Sequence, residues 1–194
     1  MYKSLLYPQI SDRAFCMESL QIIQSELDAH IRATIAQEED YTAIKQLLFD
    51  TAKWLQSKNL DQWGALLEGK DVHNTHQAIK ENHVVIFRSL NELLGTVTLF
   101  NMPTEWDKGL WGDTEKAIYV HRIAINRKFS GKGYGQKIMQ WIEYGLHHNF
   151  PYKIRLDCVA QSHSLNAFYS GLGYAYKGNK NGYNLYQKFI KLSN

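Results

Sequence analysis

Apolar residues at Ile44, Leu47, Leu48, Ala52 and Leu55 recur at the three-and-four spacing that lines one side of a helix, and Glu39 and Asp40 just ahead offer a cap. The spacing predicts a helix ending near Asn59. A second helical region runs from Asp61 to Glu81, broken around Gly69, with Asn74 capping its last turn. IRATIA from Ile31, HVVIFR from His83, LLGTVTLF from Leu93, AIYVHRIAI from Ala117 and KIRLDCVA from Lys153 are short β-branched stretches that read as strands. The turn SLNE joins the second and third into a hairpin, and a polar, Trp-bearing loop fills Asn101 to about Lys116. Ile138, Met139, Ile142 and Leu146 share one face of an amphipathic helix stopped by Asn149 and Pro151. SLNAFYSGL is a short helix closed by Gly173, and two last strands flank the turn GNKNG. The order is βαα-ββ-βαβ-αββ, an α/β (α+β) chain whose mixed sheet carries helices on both faces. Residues 1–30 show weak periodicity, with a short helix expected over Met17 to Leu27, and read as an extension packed on a body of residues 31–194.

Length and composition change this picture little. At 194 residues the chain suits one domain, and its 44% hydrophobic and 21% charged content excludes a disordered polypeptide. No apolar stretch is long enough for a membrane span or a signal peptide, so a cytoplasmic location is expected and no membrane partner. A net charge of +3 falls short of the basic excess of a nucleic-acid binder. Cys16 and Cys158 are too few for a disulfide framework and read as reduced. Neither His73 with His76 nor His147 with His148 has a zincin spacing, so no metal is expected. Arg155 and Asp157 read as a strand ion pair or strand end without chemistry.

The strongest chemical signal is Gly131-Lys132-Gly133-Tyr134-Gly135 between a strand and a helix. Glycines there let successive N–H groups converge at the positive start of the helix, which is a place for a phosphate. Lys132, with Arg127 and Lys128 upstream, adds full charges. A P-loop is excluded because Lys132 is followed by Gly133 and not by a hydroxyl residue. A dinucleotide fingerprint fits less well, because the last glycine comes one position early and five residues separate the motif from the strand. A nucleotide-dependent oxidoreductase and a plain glycine-rich surface turn stay open on the residues alone.

The third phosphate reading is the pyrophosphate of coenzyme A. Ser130-Gly131-Lys132-Gly133-Tyr134-Gly135 resembles the signature of the GNAT acetyltransferase family, with Ser130 where Gln or Arg is usual. DCVAQSHSLNAFYSGLGY resembles the family's later strand and helix, with Ser162 where Asn is usual. The resemblance implies a three-layer α/β/α sandwich around a mixed, mostly antiparallel sheet of six to seven strands. It implies acetyl-CoA as cosubstrate, held by the cradle from Ser130 to Gly135, by Ser162, and by the main chain of Ile123, Ala124 and Ile125 acting as an added-strand edge. It implies N-acetylation of a primary amine on a small molecule or peptide by direct attack, with Tyr169 as the acid for the leaving thiolate.

His121 lies two residues before Ile123, on the same face if the strand is regular, and is the candidate base, though a strand histidine is often only structural. Trp63, Trp106 and Trp111, near Trp54 and four carboxylates, would wall a cationic acceptor or merely anchor the loop. A coenzyme A sensor without turnover remains the non-enzymatic alternative. The acceptor and the oligomeric state, a homodimer included, stay open.

Overall fold

The computed structural model describes residues 20–60, 62–71, 74–90, 92–148 and 152–191. Strands β1 (Glu26–Asp28) and β2 (Ile31–Ile35) lead into helices α1 (Tyr41–Ser57), α2 (Gly64–Leu67) and α3 (Thr75–Lys80). The hairpin β3 (Val84–Ser89) and β4 (Glu92–Phe100) follows, then α4 (Glu105–Trp111), β5 (Ile118–Ile125) and α5 (Tyr134–Tyr144). The chain closes with β6 (Tyr152–Val159), α6 (His163–Gly171), β7 (Ala175–Lys180) and β8 (Tyr183–Ile190). One sheet of eight strands has the order β1-β2-β3-β4-β5-β6-β8-β7, antiparallel throughout except where β5 meets β6. No described helix is long and apolar enough to cross a membrane.

The apolar periodicity explains the layers. Ile44, Leu47, Leu48, Ala52 and Leu55 are the buried residues of α1, and with α3 they cover one face of the sheet. Ile138, Met139 and Ile142 of α5 cover the other face with Tyr169 of α6. Leu146 joins the same core from beyond the end of its helix. Asn74 caps α3 as expected, its side chain accepting from the Gln77 amide at 3.2 Å.

Four local expectations are revised. The sheet has eight strands, one more than the upper expectation, because β1 adds to the edge of β2. From Leu20 onward the helix expected over Met17 to Leu27 gives way to irregular chain and β1, fixed by Trp141 Nε1 donating to the Gln24 carbonyl at 2.6 Å and Lys137 pairing with Asp28 at 2.7 Å. Its start lies outside the described residues, as do Asn149 and Pro151. The loop after Asn101 contains α4, nucleated by a capping box in which the Asp107 amide donates to Thr104 Oγ1 and the Thr104 amide donates to Asp107 Oδ2. The turn GNKNG shrinks to Asn181-Gly182, both at positive φ, because β7 runs on through Lys180.

The feature that matters most for function lies in β5. Thr96 pairs with Ala124 and Thr98 with His121, so Val97 alone faces Arg122 and Ile123. Arg122 is the bulged residue, with φ +51°. The extra residue reverses the alternation of side chains. Ile118 and Val120 point into the α5 core, and past the bulge Ile123 packs on that core while Ala124 faces the α1 cluster. His121 and Ile123, expected on one face, therefore lie on opposite faces.

Candidate active site

The parallel pairing of β5 with β6 covers only Ile118–Val120 against Ile154–Leu156. Beyond that point the strands part, and a cleft of about 1100 Å³ opens through the sheet. Gly135, Leu165, Phe168 and Tyr169 line it from the α5 and α6 side, and His121, Asp157 and Trp106 from the α4 side. One passage thus joins two layers that the sheet otherwise separates.

At the α5 end, Gly131 and Gly133 sit at φ +75° and +76°, a region where a side chain is strained. Gly133 has no side chain to cap the helix, and among the described residues no acceptor meets the Tyr134, Gly135 or Gln136 amide, which leaves these N–H groups to an outside acceptor. At Gly135 an added Cβ would stand 3.3 Å from Phe168 Cζ, so glycine keeps the helix start against β5 and α6. Ser130 and Lys132 are exposed beside this turn, and Tyr134 is half-buried with its ring edge-on to Phe129. Ile123 and Ile125 line the cleft, whereas Ala124 turns away and can offer it only main-chain groups. Ser162 is 2% exposed, and its Oγ accepts from the Leu165 amide as the cap of α6, so the structure gives it a structural partner.

At the fork, Tyr169 is 8% exposed and lines the cleft. Burial, with Cys158 and Asp157 nearby, raises its hydroxyl pKa, so it stays protonated. On the other face His121 Nε2 lies 3.1 Å from Asp107 Oδ2, which Thr104 Oγ1 also approaches at 2.6 Å. Burial works against the Asp107 charge, but the hydrogen bonds from His121 and Thr104 together outweigh it and hold the carboxyl below its usual range. Asp157 accepts from Trp106 Nε1 at 3.2 Å. Burial pushes Asp157 up, only partly offset by His121 and Trp106.

The wall opposite is aromatic. Trp63, held at φ +72° ahead of α2, lines the cleft with Trp54, Phe100 and Tyr183, and Trp106 meets Tyr183 edge-on at 4.9 Å. Arg127 spreads its guanidinium 4.0 Å over Trp54. Trp111 is not among the lining residues; it stacks on Arg155 at 4.3 Å, which also pairs with Asp113 at 2.7 Å and with Glu115. Arg155 is thus a strand ion pair, as expected, but Asp157 is not part of it. The alternation in KIRLDCVA sets Asp157 on the same face as Lys153 and Arg155, so the sequence marked it only as a polar-face residue. Arg122 and Tyr183 also line the cleft and were not singled out by the sequence.

Comparison with known proteins gives the chain a family. The family model described as acetyltransferase (GNAT) family matches residues 37–174. The chain belongs to the GNAT family. An uncharacterized N-acetyltransferase of Bacillus subtilis, YesJ, is 43% identical over 155 residues, covering 78% of this chain and 86% of that protein. The crystal structure of a GNAT family acetyltransferase from Listeria monocytogenes superposes with a TM-score of 0.65 at 35% identity, covering 82% of this chain and 95% of that one. RimL, a ribosomal L7/L12 alpha-N-protein acetyltransferase solved with coenzyme A, shares the fold with a TM-score of 0.53 at 17% identity, over 86% and 97% of the two chains.

Proposed function

We propose that this GNAT protein transfers acetyl from acetyl-CoA to a primary amine by direct attack. One observation carries the reading: the fork past Val120 and Leu156 connects an uncapped helix start at Gly133 with a buried tyrosine on one face and a histidine–carboxylate pair on the other. The residues fit coenzyme A, since the open amides around Gly133 suit a diphosphate and the unpaired edge of β5 at Ile123 to Ile125 suits an amide-bearing arm.

An N–H of that same edge can meet the thioester oxygen as charge gathers there, a contact worth roughly 3 to 4 kcal/mol in acyl transfer. Tyr169, kept protonated, supplies the leaving thiolate with its proton. His121, oriented by Asp107, lies on the acceptor side of the fork, where the amine must lose a proton before it attacks. Trp63, Trp106, Phe100 and Tyr183 give an aromatic wall, with Glu105 and Asp157 among them, that favours a cationic acceptor.

The test is release of free thiol from acetyl-CoA across a panel of alkyl, aryl-alkyl and peptide amines. Turnover with at least one acceptor is expected. Binding of coenzyme A without turnover for any of them identifies a sensor instead, and stabilisation by NAD but not by acetyl-CoA identifies a nucleotide enzyme.

A further inference from the structure

The geometry points to Asp157 as the group that takes the proton from the incoming ammonium, with His121 and Asp107 as positioning residues beside it. The inference rests on the acetyl transfer proposed above. It starts from where the two strands part. Leu156 is the last β6 residue paired to β5, so Asp157 is the first whose side chain meets the opening. Tyr119, His121, Arg155 and Asp157 all project from the face opposite the α5 core, whose members Ile118, Val120, Leu156 and Cys158 alternate with them. Tyr169 belongs to that core, so acid and base approach the fork from opposite faces.

Hydrogen bonding separates the candidates. His121 Nε2 faces Asp107, whose Oδ2 also accepts from the Thr104 amide and hydroxyl, so this pair is engaged within α4 and β5. Asp157 Oδ1 accepts from Trp106 Nε1, and among the described residues no hydrogen bond reaches its Oδ2. The charged and titratable groups that share the cleft or its walls with it are His121 and Arg122 of β5, Arg127 beyond that strand, Glu105 and Asp107 of α4, Tyr169 of α6, Tyr183 of β8 and Cys158 of its own strand, with the paired Tyr119 and Arg155 further back on the same face. Arg155 is committed to Asp113 and Glu115. Partial burial in the cleft wall, with the Asp107 charge nearby, leaves the Asp157 carboxylate poorly stabilised and raises its affinity for a proton.

The chemistry then balances. An ammonium placed against Asp157 breaks one N–H bond as the carboxylate gains an O–H bond, and a carboxylate and an ammonium against the half-buried cleft wall become a neutral acid and a neutral amine. The nitrogen lone pair attacks the thioester carbon and the C–S bond breaks. The thiolate takes a proton from Tyr169, and the second proton lost by nitrogen makes up for it. Asp157 returns its proton to solvent through the cleft when the amide leaves.

The test follows kcat/KM for benzylamine, tyramine and 1,4-diaminobutane against pH, with acetyl-CoA saturating and thiol release as the readout. The wild type holds a plateau near neutral pH, because its own base deprotonates the bound ammonium. In Asp157→Asn only the neutral amine present in solution reacts, so kcat/KM falls by about 10²- to 10⁴-fold at pH 7 and climbs about tenfold per pH unit. Asp157→Glu keeps a carboxyl and holds the plateau with a displaced acid limb. Coenzyme A binding, read by thermal shift, stays at the wild-type level in both variants. An Asn variant with the wild-type profile, or a Glu variant whose acid limb coincides with the wild type's, overturns the assignment and leaves acetyl transfer standing. A wild type that releases no thiol with any amine overturns both.

Discussion

The Arg122 guanidinium lies 2.8 Å from the Asp71 carboxylate, tying the bulge of β5 to the chain ahead of α3. The Arg122 side chain is 3% exposed, and Asp71 also accepts from the Thr75 amide at 2.7 Å. Burial works against the Asp71 charge, but Thr75 and Arg122 outweigh it and lower the carboxyl below its ordinary value of 3.8. Asp71→Asn leaves a buried cation unpaired and should cost roughly 3 kcal/mol at pH 7 by urea unfolding.

The sign of the pH effect follows from the lowered folded value. The contribution of Asp71 is fully present above its unfolded value and is lost as pH falls through the lower folded one. The gap between wild type and Asp71→Asn should therefore narrow below about pH 4, and a gap that widens there contradicts the pairing.

Tyr169→Phe removes the proposed proton donor while keeping the ring that packs against Tyr174 and Tyr186. The expected result is a kcat lower by about tenfold to a thousandfold with coenzyme A affinity nearly unchanged. Because burial raises the hydroxyl pKa above its ordinary 10, Tyr169 should impose no alkaline limb on wild-type turnover between pH 6 and about pH 9. Steady-state kinetics beside a coenzyme A titration decide it, and unchanged turnover removes Tyr169 from the mechanism.

Thr104→Ala deletes the cap of α4 and one of the hydrogen bonds that fix Asp107. A loss of about 1 kcal/mol is expected from the cap. Activity should fall further than stability, because α4 also carries Trp106, the partner of Asp157. Thermal unfolding and turnover on one preparation separate the two effects.

Asn166 joins three elements. Its amide donates to the Ser162 and Ala160 carbonyls at 2.7 and 3.2 Å, and its oxygen accepts from Asn184 Nδ2 at 2.7 Å and the Tyr186 hydroxyl at 2.8 Å. Asn166→Ala strands these groups and should cost about 2 kcal/mol in a urea titration, whereas Asn184→Ala, which removes one of the bonds, should cost about 1 kcal/mol.

Much of the fold was legible because its signals are local. The five apolar positions of α1 are its buried residues, and the glycine run of the sequence sits at the start of α5 as expected. α4 escaped because a seven-residue helix shows too little periodicity, although Thr104 and Asp107 spelled out its capping box. The His121 face was misjudged because nothing local in VHRIAI announces a bulge; only the pairing with Val97 does. Nothing local marked Asp157 as a cleft residue, because its access to the opening depends on how far β5 pairs with β6, which is a property of two distant segments. The tryptophans were alike in sequence, and only tertiary contact turned Trp106 toward the passage and laid Trp111 over Arg155.

The phase reversal at Arg122 divides one ribbon into two independent registers. A slip upstream of it would exchange His121 for a neighbour without disturbing Ile123 to Ile125, since the irregularity absorbs the offset. The half proposed to meet the nucleophile can therefore vary in register while the half proposed to lie along the acyl carrier is left as it is.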